Sequence, residues 1–103
     1  MKALDRGPAA RADRPASAVL HDEANVRIVG FRLEPGQRIP PHRSASTVIV
    51  HVTEGRGTFI GADGQALLAA GDTAVYAPGE MHAIEAGDGP LRFLAIIAPR
   101  PGG

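Results

Sequence analysis

Glycine and proline interrupt this chain so often that it has no window for a long helix. The 103 residues include 13 Gly and 9 Pro. Glycine destabilises a helix interior through its flexibility, and proline does so because it lacks a backbone N–H. The segments between them are short and rich in Val, Ile, Thr and Phe, a composition typical of strands. The sequence therefore predicts an all-β fold of short strands joined by turns.

Alternating side chains and turn residues give the positions of these strands. The pair Asp63-Gly64 favours a tight hairpin turn, and the segment 91–98 is apolar on both faces apart from Arg92, so we expect it to run through the interior. The predicted strands are 18–21, 26–33, 47–53, 58–61, 65–69, 73–76, 82–86 and 91–98.

The chain is long enough for one domain with one modest core. We expect the domain to span residues 18–98. Residues 1–17 lack an apolar period, so we expect them to be mobile, or ordered only against a partner subunit. The tail 99–103 is too rich in proline and glycine to extend a sheet.

Charge and composition exclude several classes of function. Eleven basic residues balance 11 acidic ones, so we expect neither a nucleic acid nor a membrane as a partner. Without cysteine the chain forms no disulfide, thiolate metal site or cysteine nucleophile. It also lacks an apolar run of membrane-spanning length and the apolar stretch of a signal peptide, which leads us to expect a soluble cytoplasmic protein.

The spacing of Gly36, His42, Ser44, Val48 and Gly55 resembles the first motif of the cupin family, Gly-x5-His-x-His-x3,4-Glu-x6-Gly. In that motif Ser44 takes the place of the second His, and Val48 takes the place of the Glu.

A second group of residues resembles the family's second motif, Gly-x5-Pro-x-Gly-x2-His-x3-Asn. Gly71, Gly79 and His82 match it, whereas Pro78 is displaced by one position and Ala86 replaces the Asn. Two motifs in order imply a small cupin barrel, a double-stranded β-helix of jelly-roll type. The resemblance also implies a metal or small ligand in the mouth of the barrel, and a homodimer.

The family's metal site is only partly matched. Its ligands are two His and one carboxylate from the first motif and one His from the second, and they hold iron, manganese, nickel or zinc. Only His42 and His82 carry over to this chain. The resemblance therefore implies either a weakly bound divalent transition metal or a metal-free pocket in which the two histidines are hydrogen-bonded polar groups.

Strand alternation separates a further histidine from this pair. If Val48, Val50 and Val52 face inward, His51 faces outward. We therefore expect His51 to take no part in the site, and we expect Arg43 to face solvent.

The candidate pocket residues are His42, Ser44, Gln37, Tyr76 and His82, although Tyr76 also fits a core position with its hydroxyl at the surface. No residue is assigned a catalytic role. The sequence indicates a protein that binds a small organic molecule in the barrel. The alternative is a metal-dependent enzyme of dioxygenase or isomerase type that uses His42 and His82.

Overall fold

A computed structural model describes residues 1–101, and strands are their only regular secondary structure. This confirms the predicted all-β class. Within the described chain there is no helix of the length and apolarity needed to cross a membrane. The strands are β1 (Ala16–Asp22), β2 (Arg27–Leu33), β3 (Arg38–Arg43), β4 (Thr47–Gly61), β5 (Gly64–Ala69), β6 (Thr73–Tyr76) and β7 (Met81–Ala98).

Two long strands, β4 and β7, organise the fold by pairing with each other twice. Residues 47–55 of β4 pair with 91–98 of β7, and residues 57–60 pair with 83–86. The first pairing is flanked by β2 and β6, giving the order β1-β2-β7-β4-β6. The second is flanked by β3 and β5, giving the order β3-β7-β4-β5. All these pairings are antiparallel. Each sheet contains one half of β4 and one half of β7, as in a jelly roll.

The sequence predicts that strands end at points where β4 and β7 instead bend and continue. It favours separate strands at 47–53 and 58–61, but β4 is continuous and has register shifts between Val52 and Glu54 and between Gly55 and Gly57. Gly55 has a φ of 72°, which favours glycine, and a Cβ on Gly57 would lie 2.8 Å from the Glu85 carbonyl oxygen. These β-bulges turn the strand from one sheet into the other without ending it.

The strand β3 has no counterpart among the predicted strands, and it contains Pro40 and Pro41, which lack a backbone N–H. In the structure β3 pairs only with β7, and its register shifts between Ile39 and His42. Prolines are tolerated at such an irregular edge because no ladder hydrogen bond is required of them. The absence of a predicted strand here affects the site, because β3 carries His42.

Parts of the N-terminal segment 1–17, which we expected to be mobile or ordered only against a partner, contact the sheet of their own chain. The Arg92 Nη1 group donates hydrogen bonds to the carbonyl oxygens of Arg6 and Pro8, at 3.1 and 3.3 Å. Gly7 packs beside Gly30 of β2. The segment therefore covers part of the outer face of β2 and β7.

The core lies between the two sheets and is centred on Phe93 of β7, which is completely buried. The ring of Phe31 stacks on it with a centroid distance of 4.9 Å, and the ring of Phe59 meets it edge-on at 5.3 Å. The inward positions of the apolar segment 91–98 fill this core, as expected, and β7 there lies between β2 and β4.

The predicted alternation in β4 is confirmed. Val48, Val50 and Val52 are buried. His51 points to the other face, where its Nδ1 lies 2.8 Å from the Thr73 hydroxyl oxygen. His51 is thus separated from the interior by the strand itself.

Candidate functional site

A cavity of about 540 Å³ lies between the two sheets. Its walls are mainly apolar and come from β2, β3, β4 and both halves of β7. They include Phe31, Val48, Val50, Ile84, Phe93 and Ile97. The turn after β3 and the residues that follow β7 complete the lining.

Cross-strand pairing places His42 and His82 side by side in this cavity. His42 of β3 lies directly opposite His82 of β7. Their ring centroids are 3.9 Å apart, and the ring planes form an angle of 75°. His82 is the more enclosed of the two, with 5% of its surface exposed. The ring of Tyr76 lies 4.8 Å from the His82 ring.

The surroundings of His82 keep its ring uncharged at neutral pH. Burial, reinforced by the neighbouring His42 and only partly opposed by Glu80, lowers the pKa of His82 to about 4. Its Nε2 atom is buried and has no hydrogen-bond partner among the described residues. A buried nitrogen of this kind costs stability until a partner is supplied.

His42 has a defined tautomer when neutral. Its Nδ1 lies 3.1 Å from the Pro40 carbonyl oxygen. Because a carbonyl only accepts hydrogen bonds, Nδ1 carries the proton, and Nε2 of the neutral ring is free of one. His42 therefore offers an acceptor nitrogen beside His82.

Two serines shape the turn that follows β3. The Ser44 hydroxyl oxygen accepts a hydrogen bond from the Ser46 backbone N–H at 3.1 Å, and the buried Ser46 hydroxyl donates to the Pro99 carbonyl oxygen at 2.6 Å. Both serines line the cavity. The sequence pointed to Ser44 through its motif position, but it gave no signal for Ser46, whose partner is 53 residues away.

Gln37, one of the candidate pocket residues, lies outside this cavity. Its side-chain oxygen accepts a hydrogen bond from the Glu34 N–H at 2.9 Å, and its Nε2 donates to the Arg11 carbonyl oxygen at 2.8 Å. The side chain thus fastens the N-terminal segment to the turn before β3.

Tyr76 also lies outside the cavity lining, behind His82. Its hydroxyl donates to the Ile60 carbonyl oxygen at 3.0 Å. Burial, together with the nearby Glu80 carboxylate, raises the pKa of Tyr76 to about 12. Of the two alternatives for this residue, the structure places it at the core position, with the hydroxyl bonded to the main chain.

Two arginines that the sequence did not place in the site line the cavity. Arg43, which was expected to face solvent, is exposed; it also lies at the cavity, where its Nη1 donates to the Gly79 carbonyl oxygen at 2.8 Å. Alternation along an ideal strand assigns His42 and Arg43 to opposite faces, so no pattern pointed to a shared cavity. Arg100 belongs to the predicted tail, of which residues 99–101 line the cavity and residues 102 and 103 lie outside the described residues.

The side chains present do not fit a resident transition metal. Among residues 1–101 no group of three or more His, Cys, Asp or Glu side chains could hold a metal ion. The cavity offers the imidazoles of His42 and His82 beside the hydroxyl of Ser44, and protein sites for these metals use more imidazole or carboxylate ligands than that. Val48, at the position of the family's carboxylate ligand, is a buried wall residue.

Comparison with known proteins identifies the family of this chain. The family model described as a cupin domain matches residues 30–97. The chain belongs to the cupin family. The matched region of this cupin contains both histidines of the cavity and most of its apolar wall.

Two solved structures overlay nearly the whole chain. TT1209 from Thermus thermophilus is 24% identical, with a TM-score of 0.87 and 93% of each chain covered. An RmlC-like cupin protein from Desulfovibrio desulfuricans is 29% identical, with a TM-score of 0.84, and 96% of this chain and 97% of that one are covered.

A third similar structure is described as a predicted oxalate decarboxylase from Thermotoga maritima. It is 26% identical, has a TM-score of 0.76, and the overlay covers 84% of this chain and 81% of that one. No curated protein matches this cupin in sequence.

Proposed function

We propose that this cupin binds a small organic molecule in the cavity between its sheets, and that it does so without a resident transition metal. The observation that carries the proposal is the buried, unpartnered Nε2 atom of His82, a residue that lines a cavity with mainly apolar walls. Ligand pockets typically have volumes of about 300–1,000 Å³, apolar walls and a few polar groups that fix orientation. The cavity matches this description.

The energetics of the histidine pair favour a ligand over an empty cavity. A buried polar atom without a partner costs about 1–3 kcal/mol. A ligand group that forms a hydrogen bond with His82 would remove this cost, and His42 offers a second polar contact beside it. The apolar walls would contribute through burial of the ligand's hydrocarbon part.

The alternative, a metal-dependent enzyme of dioxygenase or isomerase type, needs the same two imidazoles. It also needs further protein ligands, and the described residues form no cluster that supplies them. The donor set therefore supports the metal-free proposal better. Elemental analysis of the purified protein distinguishes the two, because the enzyme would carry close to one transition metal per chain.

Filling the cavity tests whether it is the binding site. Ala95 lines the cavity and is buried, so Ala95→Leu would occupy ligand space. Ala62 lies exposed in the turn between β4 and β5, and Ala62→Leu is the matched control.

The measurement is a thermal-shift and calorimetric screen of small acids, amides and alcohols. We expect compounds that bind the wild type to lose affinity in Ala95→Leu by roughly tenfold or more, about 1.4 kcal/mol, and to bind Ala62→Leu normally. Equal binding by all three proteins would contradict the assignment of the site.

A further inference from the structure

The charged side chains of the cavity are all of one sign. Arg43 and Arg100 line it, and none of its described lining residues is Asp or Glu. Both arginines lie near the turn after β3 and the end of β7, while the opposite walls are apolar. The cavity thus combines a cationic end with a hydrocarbon interior.

The two arginines differ in how far their charges are already compensated. Arg100 Nε lies 2.9 Å from the Asp22 carboxylate, which also pairs with Arg27 at 3.3 Å. Arg43 has no carboxylate partner among residues 1–101, and its Nη1 bonds only to the neutral Gly79 carbonyl. Arg43 therefore lacks a carboxylate partner among the described residues, whereas Arg100 shares one carboxylate with Arg27.

The hydrogen bond to Gly79 also limits the freedom of the Arg43 side chain. A guanidinium carries five N–H donors in a planar fork, so one donor can hold the group in place while others remain for a ligand. Fixing the side chain before binding lowers the entropy lost on association. Arg43 also directly follows His42, which lies beside His82.

We propose that the ligand is an organic carboxylate with an apolar body, and that Arg43 binds the carboxylate while the apolar walls enclose the body. This inference rests on the proposed function and specifies the ligand class for the same site. The one guanidinium of Arg43 balances the single charge of a carboxylate better than the nearly two negative charges of a phosphate monoester. The planar guanidinium fork also matches the two oxygens of a carboxylate.

The test compares carboxylic acids with their primary amides, which have nearly the same shape but no charge. The probes are hexanoate, benzoate and phenylacetate with the corresponding amides, and monobutyl phosphate serves as the dianionic arm. Each is titrated calorimetrically into the wild type and three variants. Arg43→Gln removes the charge at the cavity, and Arg43→Lys keeps the charge but not the fork. Arg38→Gln removes a charge from an exposed position of the same strand that does not line the cavity.

We expect at least one acid to bind the wild type roughly tenfold or more tightly than its amide. Arg43→Gln should abolish that preference and leave amide binding unchanged. Arg43→Lys should retain part of it, and Arg38→Gln should retain all of it.

Three results would overturn the carboxylate inference. If amides bind as tightly as acids and Ala95→Leu still weakens their binding, the carboxylate inference is wrong but the proposed function stands. If monobutyl phosphate binds more tightly than every acid, the ligand class is a phosphate ester rather than a carboxylate. No binding by any acid, amide or phosphate would count against both proposals.

Discussion

Tyr76 illustrates how one residue supports the site without lining it. Its ring packs against His82, and its hydroxyl donates to the Ile60 carbonyl oxygen. This bond joins the end of β6 to the second half of β4, so it ties the two sheets together behind the histidine pair. Tyr76 thus has a structural role in holding His82.

Removing the Tyr76 hydroxyl tests this role. We expect Tyr76→Phe to lower the free energy of unfolding by about 1 kcal/mol, because a partly buried carbonyl loses its partner. For a domain of this size that corresponds to a fall in Tm of roughly 4–8 °C. Ligand affinity, measured well below the Tm, should stay unchanged. Thr53→Val removes an exposed hydroxyl bond to the Arg92 carbonyl and is the control, with a smaller expected effect. A Tyr76→Phe protein of normal stability that bound ligand poorly would instead place the hydroxyl in the site.

At this same scale the sequence predicted some positions and not others. His42 and His82 stand at motif positions, and the inward valines follow from alternation, so both are local signals. The bonds of Gln37 to Arg11 and of Ser46 to Pro99 join residues 26 and 53 positions apart. Such contacts depend on the folded path of the chain, and no pattern within one strand reports them.

At the scale of strands, turn residues were a good guide to where the chain bends but not to where pairing stops. Gly55 and Gly57 lie between the predicted strands 47–53 and 58–61, yet β4 continues through this corner because β7 follows the same bend. No strand was predicted across Pro40 and Pro41, yet an edge strand with an irregular register accommodates them. In both cases the neighbouring strand decides the outcome.

The alignment of β3, β7 and β4 makes a prediction about the missing metal ligands. His42 lies opposite His82, and Ser44 lines the same cavity two positions after His42. Ser44→His would therefore supply a third imidazole beside the pair. We expect the variant to bind Ni²⁺ roughly tenfold or more tightly than the wild type, a gain of about 1.4 kcal/mol.

Isothermal calorimetry measures this gain in Ni²⁺ affinity, and a second variant extends the test. Ser44→His with Val48→Glu adds an anionic oxygen at the buried position that the family reserves for a carboxylate, and we expect a further rise in affinity. Thr53→His places an imidazole on an exposed position of β4 and is the control. If Ser44→His, checked by thermal melting to be folded, gained no affinity over Thr53→His, the placement of Ser44 beside the two histidines would be wrong.

At the scale of the whole molecule, an apolar row crosses the outer face of the first sheet. The backbone register aligns Ile28 with Ile96, Ile96 with Ile49, and Ile49 with Val75, across β2, β7, β4 and β6. Val75 is 64% exposed. An uncharged row meets its own copy across a two-fold axis without like-charge repulsion. We propose that a second copy of this chain covers the row.

Sedimentation of the wild type at micromolar concentration should then show a homodimer, as the family resemblance also leads us to expect. Val75→Arg should shift the protein to a monomer, because two arginines would face each other across the axis and lose their hydration. Leu67, which is 65% exposed on β5, lies away from the row, so Leu67→Arg should remain dimeric. Since Val75 points away from the cavity, the Val75→Arg monomer should bind ligand as the wild type does. A wild type that sediments only as a monomer would rule out this interface. If Leu67→Arg alone dissociated the dimer, the interface would lie on the other sheet.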